Sequence, residues 1–213
     1  SDYHSPSFTH WNEDGEAPQA CAACHSETGM LDWLGADDTP ALSVEHPGTI
    51  NTVIGCASCH VTEAETLDAV PFPSGVTVTG LGASATCTMC HSGRASTDRV
   101  LAATDGMDLD AVSSELGFIN VHYGVAAAVM HGAVVRGGFQ YPGFAYAGRF
   151  SHVPSAGTCV ACHEPHTTAV ETEGCIACHE GVNDITAIRT RHGDFDGDGS
   201  ASGGIRTEIE GLH

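Results

Sequence analysis

The chain has 213 residues, of which 27 are Asp or Glu and seven are Lys or Arg, for a formal net charge of −20 with histidines neutral. So large an acidic excess makes nucleic acid and anionic membrane surfaces poor partners, and no apolar run approaches the roughly 20 residues of a membrane-spanning helix. Aromatics are only 6% of residues while glycine reaches 26, so the chain has few large side chains with which to build a core of its own.

In chain order, residues 49–54 and 76–79 read as short strands. Residues 108–117 suit a short helix with Asp108 or Asp110 near its start. Residues 121–135 suit a second helix, with Asn120 as N-cap and Gly137-Gly138 as the stop. On that helix His122 and His131, nine positions apart, would face opposite sides. Residues 138–150 alternate aromatic and small residues around a Pro-Gly turn and read as a hairpin. Its aromatics pack either within the hairpin or against a bound group. The remainder reads as turns and loops. The expected class is mostly irregular, with short α-helices and few short β-strands, in a single domain over residues 1–213.

The ten cysteines fall into five pairs: Cys21/Cys24, Cys56/Cys59, Cys87/Cys90, Cys159/Cys162 and Cys175/Cys178. Each pair encloses two residues, and each second cysteine is followed by histidine: His25, His60, His91, His163 and His179. C-x-x-C-H is the attachment signature of c-type haem. Two thiols one tight turn apart form thioethers to the haem vinyl groups, and the adjacent imidazole becomes the proximal iron ligand. A redox dithiol, half a zinc site or a disulfide framework explains the cysteines but not a histidine after every pair. The expectation is five haem c, every sulfur used and no disulfides. Five haems would supply much of the core, so folding should depend on their attachment. Haem is attached to such motifs after export, and the chain begins at Ser1 without a leader. It reads as a processed periplasmic or extracellular form.

Successive attachment sites start 35, 31, 72 and 16 residues apart. The last step is short, so haems 4 and 5 should be close neighbours. The long interval 92–158 has no attachment site but holds His122, His131 and His152, and reads as a ligand-supplying segment.

The sixth iron ligand separates an electron carrier from a haem that binds substrate. Nine histidines remain: His4, His10, His46, His122, His131, His152, His166, His192 and His213. That is enough for five bis-histidine haems, which implies low potentials. His166 lies three residues beyond His163 and is too tightly tethered to cap its own haem, so it should serve a neighbour. His46 precedes Pro47 in a loop, and His152 lies seven residues before Cys159. His131 is either a ligand or a solvent-facing residue.

Several stretches resemble the multihaem cytochromes that polymerise into extracellular filaments, and their unpolymerised relatives. They are F-T-H-W-N-E-D-G-E-A-P-Q-A-C-A-A-C-H (8–25), N-V-H-Y (120–123), Y-P-G-F-A-Y-A-G-R-F-S-H-V-P (141–154), C-V-A-C-H-E-P-H (159–166) and D-F-D-G-D-G (194–199). The resemblance implies stacked haems, with His122, His152, His166 and His46 as distal ligands. It also implies an N-terminal histidine, His10 or His4, that bridges to a neighbouring subunit.

Asp194, Asp196 and Asp198 alternate before Gly199, like the first half of an EF-hand loop. The glutamate expected at loop position twelve is replaced by Ile205, with Glu208 or Glu210 as substitutes. The stretch is either a Ca²⁺ site or an acidic solvated turn. The functional expectation is an extracellular electron conduit, not an enzyme, assembled head to tail and exchanging electrons with redox proteins or extracellular acceptors. A soluble periplasmic shuttle and a multihaem reductase with one open haem are the alternatives.

Overall fold

The computed structural model describes residues 11, 13–50, 52–108, 110–149, 152–179, 184–189 and 193–212. Most of them lie in turns and loops, joined by short helices and two antiparallel two-stranded ribbons. Among the described residues no helix is long and apolar enough to cross a membrane. The chain divides into two compact units between Pro154 and Ser155.

In the first unit, β1 (Glu16–Ala17) pairs with β2 (Gly48–Thr49), Glu16 opposite Thr49. Between them run α1 (Gln19–His25) and α2 (Glu27–Leu34). The buried Ser26 joins the two helices. Its Oγ accepts from the Gly29 amide at the start of α2 and donates to the Thr49 carbonyl at 2.8 Å, so one side chain caps a helix and ties it to the ribbon. Helix α2 ends at Gly35, whose φ of 75° is the left-handed stop that glycine adopts without strain. The two helices touch backbone to backbone. A Cβ added at Gly29 would lie 2.4 Å from the Ala22 carbonyl carbon.

The unit continues with α3 (Ala57–His60), α4 (Thr62–Glu65), β3 (Val70–Pro71), β4 (Thr77–Val78), α5 (Ala85–His91), α6 (Thr97–Ala103) and α7 (Ala126–His131). Strand β3 pairs with β4, Val70 opposite Val78. One buried cluster unites Met30, Trp33 and Leu34 of α2 with Ala64, Val70, Leu81 and the α5 residues Ala85 and Met89. A second unites Phe72 with Ala127, Ala128 and Val135. Each fully buried large side chain is worth about 1.5–3 kcal/mol.

The second unit has 3₁₀ turns at Cys159–Ala161 and Ile185–Ala187, with α8 (Glu173–Ile176) and α9 (Ile205–Gly211). Helix α9 packs on the 185–187 turn through Gly204, where a Cβ would sit 1.9 Å from the Thr186 carbonyl oxygen. Beside it, the buried Glu208 pairs with Arg189 at 3.0 Å and accepts from the Phe195 amide at 2.8 Å.

Three sequence expectations are corrected. Residues 110–117 form turns and irregular loop, not a helix; the Asp108 carbonyl accepts from the Ala111 amide. The helix expected over 121–135 is α7 alone, followed by a 3₁₀ turn at Gly132–Val134. His122 at φ 85° and Gly124 at φ 65° leave helical space, and Asn120 accepts from the His122 amide in a local turn instead of capping a helix. His122 and His131 therefore do not share a helix. The segment 138–149 is not a hairpin. Thr97 of α6 binds the Gly138 carbonyl and the Gln140 amide, and the Ala147 carbonyl is taken by Ala133. Of the expected strands, 76–79 is realised as β4, whereas the ribbon near 49–54 includes only Thr49 of that range.

Candidate functional site

No disulfide joins the ten cysteines, and each C-x-x-C-H lies on one helical turn. Sites 1 and 3 end helices α1 and α5. In sites 2, 4 and 5 the first cysteine's carbonyl accepts from the histidine amide at 2.8–2.9 Å. Positions i, i+3 and i+4 of such a turn share a face, so both sulfurs and the imidazole are presented together. Sites 1–3 belong to the first unit and sites 4 and 5 to the second.

The histidine rings carry the strongest indication of metal ligation. Ligating histidines give their second nitrogen to an oxygen, which fixes tautomer and orientation. His91 Nδ1 donates to the Gly124 carbonyl, and His163 Nδ1 donates to the Thr168 carbonyl at 2.9 Å. His60 Nδ1 lies 3.8 Å from Glu65. In His91 and His163 this directs Nε2 away from the anchoring carbonyl.

The distal candidates repeat the pattern. His166 Nδ1 is 3.1 Å from Glu164 Oε1. Burial pushes the Glu164 carboxyl up, but hydrogen bonds from Thr167 and His166 outweigh it and hold the group below the ordinary carboxylate range. His46 Nδ1 lies 3.6 Å from Asp32 Oδ2. Asp32 is buried in α2 and accepts from the amides of Glu45 and His46 and from the Thr39 hydroxyl. Burial raises its pKa, yet these donors and the His46 ring lower it overall. Neither anchor was picked out in the sequence. Glu164 sits two residues before its histidine, a readable spacing; Asp32 lies fourteen residues before His46, and nothing in the sequence links them.

His122 faces His25 with ring centroids 5.8 Å apart and planes at 72°. The contact is edge to face. His122 Nδ1 is buried without a hydrogen-bond partner. His131 is 1% exposed and packs edge-on against Phe72 at 5.6 Å, which removes the solvent-facing alternative. Its Nε2 is likewise unpartnered, and burial with the Arg149 charge lowers its pKa. Buried imidazole nitrogens without a hydrogen-bond partner are candidates for metal ligation. His152 is exposed on the loop before the turn at Pro154–Ala156. His4, His10, His192 and His213 lie outside the described residues.

The sulfurs of the first three sites converge. The Cys90 thiol donates to Cys24, and that hydrogen bond together with burial pushes Cys90 up. Cys24 Sγ is 3.8 Å from Met89 Sδ, and Cys59 Sγ is 4.0 Å from Thr86 Oγ1. An apolar cavity of 350 Å³ opens beside Val121, Val125, Ala128, Val129 and Tyr146.

At the acidic loop, the carboxylates that converge within 4.8 Å are those of Asp194, Asp196 and Glu208. Asp198 turns away and accepts from the Ser200 amide. Asp194 accepts from Gly197 and Gly199, and Glu210 pairs with Arg206.

No family model matches the chain, and no solved structure matches it. Among curated proteins, it is 26% identical to the C-type polyheme cytochrome OmcB of Geobacter sulfurreducens, in two strains, over 84% of this chain. The alignment covers 31% of that protein, so the chain spans about a third of the length of the relatives it matches. The five motifs, the oriented imidazoles and this similarity together support a multihaem c-type cytochrome.

Proposed function

We propose that the chain carries five haem c groups and relays electrons among them, as one subunit of an extracellular filament assembled head to tail. The observation that carries the reading is the repeated site: two thiols and an imidazole on one turn, with the imidazole held at Nδ1 by a backbone carbonyl in sites 3 and 4. When bound, haem supplies a one-electron Fe(III)/Fe(II) couple at each site. The chain's own residues do the rest. Each cysteine pair fixes a ring edge to a helical turn. The proximal ligands are His25, His60, His91, His163 and His179; the distal ligands are His10, His46, His122, His152 and His166, with His122 opposite His25. Asp32 and Glu164 orient His46 and His166, and their carboxylates favour the ferric state. His131 and His4 are the alternatives to these distal ligands, His4 as an N-terminal one that bridges subunits.

A polyhaem relative and the export requirement of haem attachment support a location outside the cytoplasm. Asp194, Asp196 and Glu208 form a Ca²⁺ site, with Asp198 outside it. The reading is tested on the holoprotein by haem quantitation and carbon monoxide. Five haems per chain that leave the reduced spectrum unchanged under carbon monoxide are expected. A haem that binds carbon monoxide would turn the assignment toward a reductase. Electron microscopy of the native material decides between fibres and a soluble shuttle.

A further inference from the structure

We propose that helix α5 makes the third haem the common neighbour of the first and the second, a junction and not merely the third link of a series. This rests on the reading above that the C-x-x-C-H sites carry haem c.

Three contacts join sites 1 and 3. Helices α1 and α5, which carry the two motifs, pack against each other. Met89, inside the third motif, places its sulfur 3.8 Å from Cys24 Sγ and is buried in the same cluster that both cysteines border. The short segment 122–124 serves both sites at once: His122 faces His25, while the Gly124 carbonyl holds His91. Site 2 reaches the same helix from another direction. Cys59 Sγ lies 4.0 Å from Thr86 Oγ1, the residue before Cys87. A thioether ties each sulfur directly to a ring edge, so sulfurs that touch, or nearly touch, bring ring edges together. With haem bound at these sites, an electron would pass from one ring to the next across α5, with no bond or proton moved. The steps of 35 and 31 residues between motifs give no hint of the contact between sites 1 and 3, because it is made by side chains of α1 and α5 after folding.

The test is electron paramagnetic resonance of the holoprotein. His25→Met, His60→Met and His91→Met each remove one bis-histidine signal, which identifies haems 1, 2 and 3. In His91→Met the methionine-ligated haem has the highest potential and can be reduced alone to a diamagnetic state. The expected result is narrowing and several-fold slower relaxation of the haem 1 and haem 2 signals together. An unchanged haem 1 signal overturns the proposal. Should His91→Met fail to mature, the other two variants answer the same question. Reducing the altered haem in each must narrow one signal common to both, and the absence of a common signal overturns the junction. A preparation lacking haem at these sites would instead overturn the reading beneath it.

Discussion

The two units of the chain are built on opposite principles. Every buried hydrophobic side chain described, from Ala17 to Val135, belongs to the first unit. In the second unit the buried residues described are Gly204 and Glu208, a glycine and a charged group. The first unit has a packed core of its own beneath three attachment sites. The second has two attachment sites and, among its described residues, no buried apolar side chain, and a segment so short cannot offset its chain entropy without an apolar interior. The difference teaches that, on the proposed reading, haem would be an addition to one unit and the interior of the other.

The largest effect should come from removing that interior. Replacing Cys159, Cys162, Cys175 and Cys178 by alanine is expected to abolish amide-exchange protection throughout 155–212 while protection around α1, α2 and α5 survives. Persistent protection in the second unit would erase the contrast. Next, Phe72→Ala should cost the first unit about 3–5 kcal/mol in denaturant unfolding and leave the second unit's transition in place. A comparable loss, about 3–5 kcal/mol, is expected in the second unit from Arg189→Met with chelator present, which strands Glu208 as a buried, unpaired charge; substituting both residues by apolar ones should recover much of it. The smallest effect concerns calcium. A chelator is expected to lower the thermal midpoint of the second unit by a few degrees without moving the first, and equal shifts or none would remove the proposed ion.

Much of the chemistry was legible because it is local. C-x-x-C-H needs only one helical turn, and the chain forms that turn five times. The loop-rich class follows from the glycine content and the scarcity of aromatics. What stayed hidden depends on contacts between distant residues. Residues 121–125 are rich in valine with a polar N-cap before them, yet the turn around His122 wins because Asn120 and the left-handed backbone place that ring against His25. The aromatic run after Gly138 meets the pattern of a hairpin, but Thr97, about forty residues earlier, takes its backbone groups. In the acidic loop the alternation of aspartates is visible, whereas the selection of Glu208 over Asp198 is made by helix α9.

Gly29 gives these contacts a kinetic meaning. It carries no redox group, yet its missing side chain lets α2 lie directly on the helix that bears the first cysteine pair. Tunnelling rates decay exponentially with the gap between donor and acceptor. A single methyl group at residue 29 would wedge α1 outward and act as a throttle on current through a haem it never touches.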